Sequence, residues 1–156
     1  MTARALAFLF VLHLASPALA DELVGRVVGI TDGDTLRLLV ERTEVVVRLD
    51  QIDAPEKAQP FGQSARQSLA DLCFGKTARA VEHGRDRYGR TIGTVYVGGR
   101  DLNAEQVRLG MAWVFTRYAR DPALYDLEQE ARAAKRGLWR DPDPVPPWEW
   151  RQRVRR

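Results

Sequence analysis

Between residues 23 and 52 the chain fits three apolar runs of β character into thirty residues, with only two short turn signals to separate them. Residues 23–30 (LVGRVVGI), 35–40 (TLRLLV) and 45–52 (VVVRLDQI) are punctuated by Thr31-Asp32-Gly33-Asp34 and by Glu41-Arg42-Thr43-Glu44. Connections this short force antiparallel pairing, because a parallel pair needs a crossover of about a dozen residues or more. The segment is therefore an antiparallel meander. In its third strand, alternation puts Val45, Val47, Leu49 and Gln51 on one face and Val46, Arg48, Asp50 and Ile52 on the other.

Helical spacing takes over downstream. Ala65, Leu69, Leu72 and Cys73 make one apolar stripe, stopped by Gly75. Residues 77–82 and 91–97 read as two more strands around the loop HGRDRYGR. Ala104, Val107 and Met111 mark a short second helix, capped by Asp101 or Asn103. A third helix opens with the cap-and-proline pair Asp121-Pro122, buries Leu124, Leu127, Ala131 and Ala134, and closes at Lys135-Arg136-Gly137. Three strands, a helix, two strands and two helices predict an α+β fold: a small five-stranded antiparallel OB-type β-barrel with three helices.

The length of 156 residues suits one such domain. Residues 1–20 stand apart from it. Arg4, an apolar run over residues 5–14 and the small residues of Ala18-Leu19-Ala20 form a secretory signal pattern, with cleavage expected after Ala20. The run is too short to anchor the chain, since ten helical residues span about 15 Å of the roughly 30 Å hydrocarbon layer. The expected organisation is a signal peptide over 1–20, a domain over 21–140 and a proline-, tryptophan- and arginine-rich tail over 141–156. Export, to the periplasm or the medium, follows, with no stable membrane association afterwards. Trp139, Trp148 and Trp150 are expected to pin part of the tail, and the basic end from Arg151 onward reads as a frayed, solvated terminus. Removing residues 1–20 takes away Arg4 and no acid, so 24 basic side chains become 23 against 21 acidic, a net charge of +2. That balance alone is weak evidence for a polyanionic partner. A single cysteine, Cys73, permits no intramolecular disulfide and reads as a small buried hydrophobe.

Two acidic turns carry the chemistry. Asp32-Gly33-Asp34 sits at the first hairpin and Asp53-Ala54-Pro55-Glu56 at the end of the third strand. Either alone is an ordinary turn, because aspartate and glycine tolerate turn dihedrals. Brought together by adjacent strands, three or four carboxylates repel one another and need a counter-charge. A hard divalent cation supplies it through oxygen ligands, and nothing in the sequence offers a histidine or cysteine cluster for zinc. His83 reads as a solvated loop residue. Arg48, Arg85, Arg87 and Arg90 accompany the acids, and guanidinium groups beside a carboxylate and a cation are what hydrolysis of a phosphodiester requires.

These motifs in this order resemble the staphylococcal (micrococcal) nuclease family, the thermonucleases. The matching residues are Asp32-Gly33-Asp34-Thr35, Arg48-Leu49 leading into Asp53-Ala54-Pro55-Glu56, Asp86-Arg87-Tyr88-Gly89-Arg90, and Val107-Arg108-Leu109-Gly110-Met111-Ala112. The likeness extends from about Val27 to Trp139. It implies a calcium cofactor held by the carboxylates of Asp34 and Asp53 and the main-chain carbonyl of Ala54, where relatives often carry threonine. It implies Glu56 as general base, Arg48 and Arg90 as the pair gripping the scissile phosphate, and Asp32 acting through water or by orienting its turn. Arg87, Tyr88 and Tyr118 become substrate-binding residues, and DNA and RNA, preferably single-stranded, the substrates of a monomeric enzyme that leaves 3′-phosphate ends.

Two departures stand out. Only four residues separate Glu56 from Phe61, which shortens a basic loop of the best-known members, and Thr116 stands where one of two nucleotide-flanking tyrosines is expected. Two other readings use the same residues: a non-catalytic nucleic-acid-binding module on the same barrel, and a structural calcium-binding domain, which would leave Arg48 and Arg90 without a role.

Overall fold

The computed structural model describes residues 21–155, so the signal pattern of residues 1–20 lies outside the described residues. The expected meander is there: β1 (Glu22–Asp32), β2 (Thr35–Val40) and β3 (Thr43–Leu49) pair antiparallel in sequence order. The first strand is long enough to serve two neighbours. Its second half pairs with β2, while Glu22 through Arg26 pair with β5 (Thr77–Arg85). Register irregularities after Val27 and Ile30 bend it from one partner to the next, as bulges do in small barrels. β5 pairs with β6 (Thr91–Val97), and β6 closes the barrel against β3. That last pairing is parallel, the one departure from an all-antiparallel barrel.

Leucine and valine at alternate positions fill the barrel: Leu36, Leu38, Val47 and Leu49 are fully buried. The third strand is shorter than its apolar run suggests. It ends at Leu49, and Gln51 turns through a left-handed φ of 65° before the two-residue β4 (Ile52–Asp53). This turn reverses the alternation, so Ile52, assigned to the face of Arg48, is instead completely buried. The strained backbone is held from several sides. The Asp50 carboxylate accepts from the Gln51 N–H at 2.8 Å, the Gln51 carbonyl accepts from Phe115 at 2.8 Å, and its side-chain oxygen accepts from the N–H groups of Arg120 and Asp121.

Helix α1 (Gly62–Cys73) buries Ala65, Leu69 and Cys73 along one stripe. Cys73 hands its thiol hydrogen to the Leu69 carbonyl, and burial pushes that thiol up to about 12, in keeping with an inert core residue. A two-residue β7 (Arg100–Asp101) leads into α2 (Leu102–Arg108), which stops short of Met111. Asp101 caps it by accepting from Ala104 at 3.0 Å. Asn103 is no cap but a buried bridge, accepting from Val95 and donating to the Asp50 and Gly93 carbonyls. β8 (Trp113–Val114) pairs with β4, and α3 (Pro122–Ala133) follows, capped by Asp121. Leu124 and Ala131 face inward, whereas Ala134 lies beyond the helix and is exposed.

A 3-10 turn (Gly137–Arg140) and a fourth helix, α4 (Pro147–Val154), add to the three helices expected. The tail does not hang free. Trp139 meets Trp113 edge-on at 4.4 Å, and Trp148 stacks parallel to Phe115 at 5.3 Å. The side-chain amide of the buried Gln59 donates to the Val145 carbonyl at 2.6 Å. Among the described residues no helix is long and apolar enough to cross a membrane.

Candidate active site

Strand pairing explains how residues far apart in sequence meet at one end of the barrel. The β2–β3 register sets Arg48 opposite Thr35, directly beside Asp34. The parallel β3–β6 register sets Arg48 opposite Ile92, so Arg90, just before β6, arrives at the same rim. The Gln51 turn then aims Asp53 back toward Arg48. The Arg48 guanidinium bridges both acidic corners, donating from one nitrogen to Asp53 at 3.0 Å and to Asp34 at 3.3 Å. A second donor reaches the Ile52 carbonyl at 3.4 Å.

The first corner is firmly built. Asp34 accepts from the Thr35 hydroxyl at 2.9 Å and from the Ala54 N–H at 3.0 Å, tying the two corners through the main chain. Gly33 is needed here for closeness rather than for its dihedrals. A Cβ at this position would come within 2.6 Å of the Ala65 Cβ and 2.7 Å of the Ala54 Cβ. Behind the turn, the fully buried Gln106 donates to the Gly33 carbonyl at 2.6 Å and to the Ala65 carbonyl at 3.0 Å, and accepts from Ser68. Asp32 accepts from the Asp34 N–H, and its own carboxyl is pushed up to about 7, by burial first and then by the charge of Asp34. Burial likewise raises Asp53, against the opposing pull of its arginine partners. Burial works against the charge on Arg48, but Asp34 and Asp53 outweigh it and hold the guanidinium charged.

Glu56 sits in a tight turn whose geometry comes from α1. Gln59 donates its N–H to the Glu56 carbonyl at 2.8 Å and accepts from the Glu56 N–H at 3.1 Å. Gly62 lies against this turn, and a Cβ there would run into the Glu56 carbonyl. Opposite, the 86–90 hairpin is pinned by Asp86, which accepts from the N–H groups of Tyr88 and Arg90 and from the Arg90 side chain at 2.7 Å. Burial would raise the Asp86 carboxyl, but these hydrogen bonds together hold it below the usual range. His83, expected in a loop, lies in β5 and pairs with Asp50 at 2.9 Å.

All ten residues singled out from the sequence line one cavity of about 720 Å³: Asp32, Asp34, Arg48, Asp53, Ala54, Glu56, Arg87, Tyr88, Arg90 and Tyr118. The two tyrosines are exposed at the rim, at 68% and 51%. Arg87 packs over the Tyr88 ring at 4.9 Å.

One lining residue was read differently from sequence. Arg151, expected in a frayed terminus, enters the cavity from α4. It donates to both Asp53 oxygens, at 2.7 and 3.2 Å, and to Glu56 at 2.7 Å. Buried acids attract the nearest tethered cation, and Trp148, three residues earlier on the same helix face, docks the helix within reach. A tryptophan one helical turn ahead of the arginine was the available signal.

The donor set suits a hard cation, because Asp34, Asp53 and the Ala54 carbonyl are all oxygen ligands, and no described residue donates a hydrogen bond to that carbonyl. Among the described residues no three acidic, histidine or cysteine side chains already converge on a common point. The Arg48 guanidinium lies between these two carboxylates and Arg151 covers both Asp53 oxygens, and a set of two carboxylates and one carbonyl does not need a third side chain.

A family model described as staphylococcal nuclease homologue matches residues 46–141. Similar curated proteins include Protein ParB of Escherichia coli, 50% identical over 96% of this chain and 90% of its own length. A micrococcal nuclease of Shigella flexneri is 46% identical, with 96% of this chain and 91% of the relative covered. An uncharacterized endonuclease of Escherichia coli O157:H7 is 48% identical over 88% of this chain and 90% of its own. A closed five-stranded barrel with both acidic corners and their arginines at one cavity, together with this similarity, makes the chain a member of the staphylococcal nuclease family and a hydrolase of phosphodiester bonds in nucleic acid.

Proposed function

We propose that this nuclease is an exported, calcium-dependent monomer that cleaves single-stranded DNA and RNA on the 5′-oxygen side of the phosphate, leaving 3′-phosphate ends. The observation that carries the reading is Arg48 spanning Asp34 and Asp53 inside a cavity shared with Glu56 and Arg90. Asp34, Asp53 and the Ala54 carbonyl would hold calcium, which when bound supplies positive charge to the phosphoryl oxygens. Arg48 and Arg90 neutralise the charge that builds on the phosphate, with forked donors that match its oxygens. Glu56 takes the proton of the attacking water. Asp32 supports the Asp34 turn from behind.

Tyr88 and Tyr118 offer ring faces on which unpaired bases stack, each contributing about 1–3 kcal/mol, and this favours single strands over a duplex whose bases already stack on one another. Arg87 adds charge beside Tyr88. Export rests on the signal pattern of residues 1–20.

Digestion of matched single-stranded DNA and RNA oligonucleotides with calcium, followed by mass analysis of the ends, tests this reading. The expected products carry 3′-phosphates. Products with 5′-phosphates would overturn the proposed direction of cleavage.

A further inference from the structure

Helix α4 delivers more than one group to the cavity. Trp148, Arg151 and Arg155 lie three and four residues apart and so share a face. The Trp148 ring stacks on Phe115 and meets Trp113 edge-on at 5.9 Å, while Arg151 and Arg155 line the cavity. Pro147 is buried, and the Gln59–Val145 hydrogen bond fastens the approach to this helix to the turn that carries Glu56. The position of Arg151 is thus built by packing on both sides of it.

The atoms Arg151 occupies matter. It engages both oxygens of Asp53, one proposed ligand of the cation, and one oxygen of Glu56, the proposed base. Its fork satisfies carboxylates that are otherwise crowded and partly desolvated, as a divalent ion would. Both cannot hold the same Asp53 oxygens at once.

We propose that Arg151 is a tethered counter-cation of the active site, which a divalent metal must displace from Asp53, and whose displacement also releases Glu56. The C-terminal helix thereby sets the metal concentration at which the enzyme becomes competent. This rests on the metal site proposed above. While Arg151 is in place, one Glu56 oxygen is held in an ion pair, which weakens the carboxylate as a base toward water. Once the cation holds Asp53, the guanidinium loses its strongest partner and Glu56 turns to solvent.

Calorimetric titration of the purified protein with calcium, in the absence of nucleic acid, tests the proposal. Arg151→Gln is expected to lower the calcium Kd on the order of tenfold, because its fork no longer competes for the two Asp53 oxygens. Arg153→Gln removes the same charge from the same helix, but among the described residues Arg153 pairs only with the exposed Glu149, at 3.6 Å, so its Kd should stay at the wild-type value. Arg151→Lys, which keeps the charge and loses the fork, should fall between and serves if the glutamine variant does not fold. A Kd for Arg151→Gln equal to or weaker than wild type overturns the proposal, as does an equal gain in Arg153→Gln. If the wild-type protein takes up no calcium, the metal site itself fails, and the proposal with it.

Discussion

The buried amide of Gln106 donates to the Gly33 carbonyl across 2.6 Å, and so a helix residue with no contact to the cavity holds the turn that presents Asp34. Its other donor bond goes to the Ala65 carbonyl. Replacement by leucine keeps the volume but leaves the Gly33 carbonyl and the Ser68 hydroxyl without their partner, which costs about 1–3 kcal/mol for a buried polar group. Gln106→Leu should therefore unfold at lower denaturant, and its specific activity should fall even where it is fully folded. Chemical denaturation and initial rates measure the two effects separately.

Glu56→Gln keeps the turn and removes the proposed base. Turnover should drop by about 10²–10⁴ if proton abstraction is its role, with thermal stability little changed. Losing the Arg48 or Arg90 donors should cost on the order of 10²–10³. Arg48→Lys retains charge on one nitrogen but loses the second donor, which reaches the Ile52 carbonyl, and the fork that matches two phosphate oxygens, so it should lose nearly as much as Arg48→Gln. Single-turnover rates on an oligonucleotide check all of these.

Gly62→Ala tests how the Glu56 turn is held. The added methyl meets the Glu56 carbonyl, and the backbone must move to admit it. The expected result is a loss of about 1–3 kcal/mol in stability, typical of overpacking, together with a fall in kcat at unchanged calcium affinity. Circular dichroism melts and calorimetry measure the two.

Asp32 gives the metal-free protein a pH dependence of definite sign. Its folded-state carboxyl is pushed up to about 7, from the 3.8 ordinary for aspartate in an unfolded chain. Between these values the folded state holds the extra proton, so the stabilising contribution is complete at low pH and is lost as pH rises through about 7. In excess chelator, melting temperature should fall from about pH 5 to pH 8, by the equivalent of on the order of 2 kcal/mol for a partly solvated group. Asp32→Asn should flatten that slope. A wild-type profile already flat over this range would remove the assigned cause.

The parts of the site set by short-range pattern were legible in the sequence. Short turns force an antiparallel meander, which is why the two acidic turns and Arg48 could be expected at one place. Helix α3 was legible through Asp121-Pro122. What escaped was decided by contacts from far along the chain. The Gln51 turn, which swings Ile52 inward and Asp53 to the cavity, depends on N–H groups of Phe115, Arg120 and Asp121. Asn103 looked like a cap because asparagine often is one, and only the neighbouring strand shows it buried. Arg151 stood in a run of charges that local sequence reads as solvated. Its destination is dictated by Trp148 docking on Phe115, a relationship across more than thirty residues.

Asp34, Asp53, Glu56, Arg48 and Arg90 are proposed to form one metal-dependent phosphodiesterase centre. Hydrolysis of a single-stranded DNA oligonucleotide by the purified protein, followed with calcium and again in excess chelator, tests it most directly. Cleavage should vanish in chelator and return in full when calcium is restored. Undiminished cleavage in excess chelator would rule out a metal-dependent centre.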